Sequence, residues 1–251
     1  MKLYAGTSGY SYKEWKGSFY PEKLPPAKML QFYAQRLPAV EINNTFYRLP
    51  KAAVLTSWAE QVPQAFRFSI KASRRITHIK RLKETHDETA YLLHTVETLG
   101  SHLGVILFQL PPYLRKDVSR LTGFLDMLPQ GTPAAFEFRD RSWFDDSVFA
   151  LLQERDFALC LADTDEQRRP SIIRTATWGY IRLRRAHYTQ TQLATWAEQI
   201  EAAHWERAYV FFKHEDEGTG PRLAAQFLQV ANPSVNEPAM RSAHDNAPGG
   251  E

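Results

Sequence analysis

The sequence is poor in cysteine, in net charge and in long apolar stretches. A single cysteine, Cys160, among 251 residues excludes an internal disulfide and any zinc or iron–sulfur site built from several thiolates. No apolar run approaches the ~20 residues that a membrane-spanning helix requires. The first residues, Met1 to Gly6, enter a strand-like stretch without a basic and apolar leader. These absences set the expectation of a cytoplasmic protein with no membrane partner. Lys and Arg number 31 against 28 Asp and Glu, a formal net charge of +3, without the concentrated excess of a dedicated nucleic-acid binder. A dinucleotide loop is missing as well. The first strand-like run leads into Gly6-Thr7-Ser8-Gly9-Tyr10, with no third glycine at the required spacing, so the chain carries no nucleotide-cofactor motif.

What is present is alternation. Short runs rich in β-branched and aromatic residues recur at 2–6, 39–43, 66–72, 104–110, 134–138, 158–162, 179–183 and 208–212. Helical spacing fills most intervals, at 27–36, 52–61, 87–99, 118–128, 147–154, 190–203 and 221–231. Leu121, Phe124, Leu125 and Leu128 illustrate it, with apolar positions three or four apart. Eight strands alternating with helices over ~250 residues predict a single-domain α/β fold, the (β/α)8 TIM barrel, in preference to an open doubly wound sheet. The barrel is expected over residues 1–231. From Asn232 onward Pro, Ser, Asn and Gly replace the periodic pattern, so 232–251 is expected to be a disordered tail. The connection Ser73–His86 carries Arg74, Arg75, Lys80, Arg81 and Lys83 and is expected to cross the barrel mouth.

A barrel places its site at the C-terminal ends of its strands, on the inward face. Period two sorts the residues there. With Val40, Ile42, Phe68 and Ile70 turned towards helices, the inward set becomes Glu41, Asn43, Ser69 and Lys71. The later strands add Gln109, Glu137, Arg139, Asp163, Arg182 and Lys213. Most of these are charged, and burying charge costs several kcal/mol per group unless it is paired or solvated. Two readings follow. The charges either brace the barrel as an ion-pair layer or receive an anionic ligand such as a phosphate or carboxylate. Aromatic residues crowd the loops after the strands: Tyr10, Tyr12, Trp15, Phe19, Tyr20, Phe46, Tyr47 and Trp143. They could stack on a ligand or simply close the barrel end.

Five segments taken together resemble the YecE-like family (domain of unknown function 72). They are GTSGYSYKEWKGSFYP (6–21), VEINNTFYRLP (40–50), FSIKASRRITH (68–78), LGVILFQLPP (103–112) and AFEFRDRSW (135–143). The resemblance implies a TIM barrel in the neighbourhood of the xylose-isomerase-like and endonuclease-IV-like barrels, and it implies no particular activity. The residues it carries over are Thr7, Ser8, Tyr10, Trp15, Glu41, Asn43, Thr45, Tyr47, Lys71, Thr77, His78, Gln109, Glu137, Arg139, Ser142 and Trp143. The last third departs from the family pattern: RLRRAHY at 182–188 stands where arginine, leucine and His-Gly are usual. FFKHEDEGTGPRLA at 211–224 lacks the common Asn-Asn pair.

These residues bear on several reaction classes. Metal-assisted phosphoester hydrolysis needs three or more converging ligands, for which Glu41, His78, Glu137, Asp163, His187, His214, Glu215 and Asp216 are available; a divalent metal is therefore one option. Retaining glycoside hydrolysis is disfavoured because the fourth and seventh strands end in Gln109 and Arg182 in place of carboxylates. Schiff-base chemistry would need a lysine of depressed pKa, but Lys71 and Lys213 have carboxylates with which ordinary ion pairs are expected. Cys160 is expected to be buried and inert. The favoured reading is an enzyme of the hydrolase or isomerase/lyase type acting on a phosphorylated or other anionic substrate. In it Glu137 is the catalytic acid or base, with Asp163 and Glu41 as second catalytic carboxylates or metal ligands. Lys71, Arg139, Arg182 and Lys213 hold the anion, and Asn43, Tyr47, Gln109, Tyr10, Trp15, His78 and Trp143 line the ligand. The alternative is a non-catalytic barrel that binds a nucleotide or nucleic acid.

Overall fold

The computed structural model describes residues 1–165, 171–213 and 216–231. Eight parallel strands close into one barrel in chain order. They are β1 (Lys2–Ser8), β2 (Ala39–Ile42), β3 (Arg67–Lys71), β4 (Leu103–Gln109), β5 (Ala134–Glu137), β6 (Ala158–Asp163), β7 (Trp178–Leu183) and β8 (Arg207–Phe212). Around them lie α1 (Met29–Ala34), α2 (Ala52–Glu60), α3 (His86–Glu97), α4 (Val118–Leu125), α5 (Asp146–Glu154), α6 (Gln190–Ala202) and α7 (Thr219–Ala231). This is the predicted TIM barrel. Among the described residues no helix is long and apolar enough to cross a membrane. The tail 232–251 lies outside the described residues.

Local chemistry sets the helix limits. Asp117 and Asp145 accept from backbone N–H groups in the first turns of α4 and α5, and Thr189 with Gln192 forms a reciprocal capping box on α6. The first helix is shorter than its apolar spacing suggests: Pro26 starts a tighter turn, Pro26–Lys28, ahead of the regular helix.

Two apolar layers follow from strand alternation. Val40, Ile42, Phe68, Ile70, Phe108, Phe136, Leu159, Leu161, Ile181 and Val210 face the helices. Ala39, Val105, Leu107, Ala135, Cys160, Trp178, Tyr180, Tyr209 and Phe211 fill the interior. Gly179 is required on β7, because a Cβ there would fall 2.1 Å from the ring of Trp205. The interior packing ends abruptly towards the C-terminal edge, where polar side chains replace it.

The connection after β3 is one wide helical turn, Arg75–Ile79, followed by left-handed backbone at Arg81, Leu82 and Glu84. Non-glycine residues adopt that conformation at a cost and need support to hold it. Leu82 is buried beneath the segment, and Glu88 of α3 grips Arg75 and Lys80 at 2.7 and 2.9 Å. The segment thus carries His78 on a fixed support.

Candidate functional site at the barrel mouth

Above the apolar interior lies a floor of paired charges. The Arg182 guanidinium of β7 spans the barrel, with Nη2 on Glu41 Oε1 at 2.8 Å and Nη1 on Glu137 Oε2 at 2.6 Å. Glu41 is fully enclosed, and it also accepts from Ser8 Oγ (2.7 Å), Asn43 Nδ2 (3.1 Å) and Tyr180 Oη (2.7 Å). Tyr180 in turn meets Ser69 Oγ at 2.6 Å. Register explains the meeting: Glu41 stands beside Ser8 on one side and Ser69 on the other. Burial would raise the Glu41 carboxyl, but Arg182, Tyr180 and Ser8 outweigh it and hold the group below the ordinary range. Sealed from solvent, with three donors on Oε1 and Tyr180 on Oε2, Glu41 is placed as a brace of the floor.

Glu137 closes the other side of the floor. It accepts from Gln109 Nε2 at 2.7 Å, its in-register neighbour on β4, and lies 3.4 Å from Arg139 Nε and 3.9 Å from Arg184 Nη1. Burial again pushes the carboxyl up, but Arg182, Arg139 and Arg184 together bring it down to about 2. It is therefore ionised at neutral pH and poorly suited to moving a proton there. Cys160 sits 3.9 Å below it, with burial first and Glu137 second raising the thiol well above its usual value. The expectation of an inert cysteine agrees with that.

A second tier is cationic and more open. Lys71 ends β3 half-buried, with Nζ 4.4 Å from the centroid of the Phe46 ring. The expected ion pair does not form: among the described residues no carboxylate lies within salt-bridge distance of Lys71, because Arg182 and the other donors occupy Glu41 and Glu137. Burial, then the charge of Arg182, lowers its ammonium to about 8, against the opposing pull of Glu41 and Glu137. His78 packs edge-on against the same Phe46 ring, 4.8 Å between centroids, with Nδ1 2.9 Å from Thr77 Oγ1. Burial, Lys71 and Arg139 bring it down to about 4, so it is neutral at neutral pH. Arg139 and Arg184 keep part of their surface in solvent, and Tyr47 projects at 72% exposure beside Phe46.

Next to this tier a cavity of ≈ 760 Å³ opens between the ends of β5 and β6. Glu137, Arg139, Arg141, Phe144, Thr164 and Arg184 are among its walls. Lys71 and His78 are not, but the charges of Glu137 and Arg139 act on both. Glu137 and Arg139 are therefore shared between the cavity and the Lys71 side of the mouth.

Other expected site residues lie elsewhere. Asp163 continues the outward row of Leu159 and Leu161, and its carboxylate meets Arg185 Nε (2.7 Å), Tyr188 Oη (3.1 Å) and Trp196 Nε1 (3.2 Å) under α6. It ties a helix to the barrel and does not face the mouth. The alternation of Ala158, Cys160 and Ala162 with the two leucines carried that signal in the sequence. Trp15 and Trp143 are wholly buried packing residues; Trp143 stacks on Phe138 and donates to Leu114 O. Tyr10 packs against Tyr33 and Trp58. Lys213 is exposed just past β8. Arg182 belongs to the floor, so it serves the carboxylates before any ligand. Arg184, Tyr180 and Ser69 complete the two tiers; Arg184 escaped the sequence reading although it stands two residues after inward-facing Arg182.

The candidate metal ligands do not converge on one point among the described residues. Among the described residues no group of three His, Cys, Asp or Glu side chains could hold an ion. Asp163 faces α6, while His187 and Asp216 are exposed. His214 and Glu215 lie outside the described residues.

Comparison with known proteins agrees with the segment pattern. The chain is 30% identical to the UPF0759 protein YunF of Bacillus subtilis over 151 residues, 57% of this chain and 52% of that protein. It is 33% identical to the UPF0759 protein YecE of Escherichia coli over 116 residues, 46% of this chain and 43% of that one. The matched region spans about half the length of these curated relatives. In fold it is similar to a DUF72 family protein from Thermotoga maritima (TM-score 0.75, 23% identity, 91% of this chain and 98% of that chain). A DUF72 family protein from Enterococcus faecalis is similar too (TM-score 0.71, 18% identity, 92% and 95%). The family model described as "Protein of unknown function DUF72" matches residues 4–248. With the barrel, the five segments and this match in agreement, the chain belongs to the DUF72 family.

Proposed function

We propose that the barrel mouth binds and turns over a small anionic substrate, a phosphate ester or a carboxylate, with Lys71, Arg139 and Arg184 as its cationic contacts. The observation that supports this is a surplus of positive charge left after the floor is paired. Arg182 is committed to Glu41 and Glu137, Arg139 and Arg184 stand 3.4 and 3.9 Å from that same Glu137, and Lys71 has no carboxylate within salt-bridge distance among the described residues. Partly desolvated cations of this kind bind anions more strongly than solvated ones. In this reading Glu137 is a fixed counter-charge that aims Arg139 and Arg184, and Gln109 fixes Glu137.

A second reading keeps the same anion contacts without chemistry. The exposed Tyr47 ring and the basic residues Arg74, Arg81 and Lys83 on the adjoining segment suit a nucleotide or single-stranded nucleic acid held by stacking and phosphate contacts.

Thermal unfolding against paired ligands tests the proposal. Sugar phosphates and small carboxylates should raise Tm while their neutral counterparts do not. A ligand at 100 times its Kd adds about 2.7 kcal/mol, several degrees for a domain of this size. A shift with neutral sugars alone would overturn the charge-based reading. Binding of oligonucleotides that weakens steeply with salt would favour the second reading.

A further inference from the structure

Lys71 is a half-buried cation at the barrel mouth with no carboxylate within salt-bridge distance among the described residues. Glu41 and Glu137 are the carboxylates whose charge reaches it most strongly, and both are saturated by Arg182, Ser8, Asn43, Tyr180 and Gln109. Its amine instead lies against the Phe46 ring, on the inward face of a strand end at the mouth. A lysine kept only for anchoring an anion must keep its proton, which burial and cationic neighbours oppose. A lysine used as a nucleophile gains a free amine from both.

We propose that Lys71 forms a Schiff base with a small aldehyde or ketone that carries a carboxylate or phosphate, while Arg139 and Arg184 hold the anionic group. The inference rests on the anion-binding reading and names its substrate class. The neutral Lys71 amine attacks the carbonyl carbon; an N–C bond forms, the C–O π electrons move to oxygen, and a proton transferred from nitrogen completes the carbinolamine. Its hydroxyl then takes up a proton and leaves as water, giving the protonated imine. The net change is amine plus carbonyl plus one proton to iminium plus water.

His78 is the proton carrier in reach of this chemistry. It shares the Phe46 ring with Lys71, and Thr77 Oγ1 engages its Nδ1, which leaves Nε2 for the exchange. The charged and titratable groups acting on Lys71 are Arg182 of β7, Glu41 of β2, and Glu137 and Arg139 at the end of β5. His78 follows on the segment after β3. Burial and the cations prevail, and the amine titrates near pH 8.

Reductive trapping tests this on the intact chain. The protein is incubated with pyruvate, with dihydroxyacetone phosphate, or with uncharged dihydroxyacetone, each with cyanoborohydride at pH 7.4, and adducts are mapped by peptide mass spectrometry. Lys71 should be labelled by at least one of the charged probes on the order of tenfold faster than exposed Lys51 and Lys83, because a lower pKa raises the free-amine fraction. Uncharged dihydroxyacetone keeps the free-amine advantage but is not gathered by Arg139 and Arg184, so it should show a smaller preference. The two charged arms separate a carboxylate from a phosphate substrate. Labelling of Lys71 no faster than of Lys51 and Lys83 with both charged probes would overturn the Schiff-base inference. Inorganic phosphate added as a competitor separates the two ideas. If phosphate raises Tm but Lys71 is not preferentially trapped, the anion site stands and the Schiff base fails. If phosphate raises nothing and trapping is also unselective, both fail. The rate of trapping at Lys71 against pH supplies a readout that needs no variant: it should rise with a midpoint near 8, and a midpoint near 10.5 would count against it.

Discussion

The floor and the rim of the barrel mouth are both built from charged side chains, at 137 and 139 and at 182 and 184 only two residues apart, yet they are organised oppositely. In the floor, Arg182 and Glu41 are sealed and each charge has partners: Ser8, Asn43, Tyr180 and Arg182 on Glu41, Gln109 and Arg182 on Glu137. On the rim, Lys71 has an aromatic face in place of a carboxylate, and Arg139 and Arg184 share one carboxylate already in use. A brace uses its charges on itself; a site leaves some uncommitted. The contrast predicts that removing floor charges destabilises the protein, whereas removing the Lys71 charge stabilises it and costs function, the usual trade where a site is held under strain.

The largest effect belongs to Arg182. Arg182→Met strands two buried carboxylates, which costs about 3–5 kcal/mol, or roughly ten degrees in Tm. Chemical denaturation of the variant measures it. Adding Glu41→Gln to Arg182→Met should recover part of the loss, since one stranded charge is then gone. If the single variant lost under about 1 kcal/mol, the paired floor would not be a brace.

Next comes acid. Glu137 titrates near 2 when folded, below an ordinary carboxylate of the unfolded chain. A depressed folded pKa gives stability that is complete above the unfolded value and is lost as pH falls through about 2. The unfolded chain binds the extra proton in that interval. Between roughly pH 5 and 2 the wild type should therefore lose on the order of 2–3 kcal/mol through this group, and Glu41 adds in the same direction. Glu137→Gln should be less stable at pH 7 yet flatter across that acid window, when both proteins are titrated by denaturant midpoint. An equal acid slope in the two proteins would assign the stability to other carboxylates.

The opposite sign is expected for Lys71. Its folded pKa lies near 8, below the ordinary lysine value, so its charged form is disfavoured by folding. That penalty is present in full below pH 8 and disappears as pH rises towards about 10.5, where the unfolded chain also loses the proton. Lys71→Met should thus gain on the order of 1–3 kcal/mol at pH 7, with the gain shrinking in alkali, while binding of anionic ligands falls. A Lys71→Met variant less stable than wild type at pH 7 would place Lys71 among the bracing charges.

How much of this was legible depended on whether a residue's position is set by alternation or by contacts. Period two placed Glu41, Lys71, Gln109, Glu137 and Arg182 correctly, because flanking apolar residues such as Val40, Ile42, Phe68 and Ile70 fix which face is outward. Asp163 departs from the expected inward set because it continues the outward alternation of Leu159 and Leu161 on β6. The loop aromatics offered no periodicity at all. Whether Trp15 and Trp143 cover the barrel or meet a ligand is decided by partners distant in the chain, such as Leu114 for Trp143. Nor could spacing show that Arg182 would take both carboxylates and leave Lys71 unpaired, since that requires three strands brought to one level by the barrel's closure.

The smallest effect on stability is the sharpest on function. Arg139 lies 3.4 Å from Glu137 with about a third of its side chain in solvent, and Arg184 stands 3.9 Å away. Such partly solvated pairs are worth about 0–1 kcal/mol, so Arg139→Ala and Arg184→Ala should each leave Tm nearly unchanged. Both remove a cation beside the cavity, and phosphate affinity should fall several-fold in each, more at low ionic strength than at high. Arg139 also lowers Lys71 and His78, so its loss should move the Lys71 titration upward; removing Arg184 should move it less. Titration calorimetry with phosphate at two salt concentrations, combined with the pH profile of Lys71 labelling, separates the contributions. Should both variants bind phosphate as tightly as wild type while the floor variants lose stability as expected, the mouth would be all brace, and the anion site would have to be sought away from Glu137.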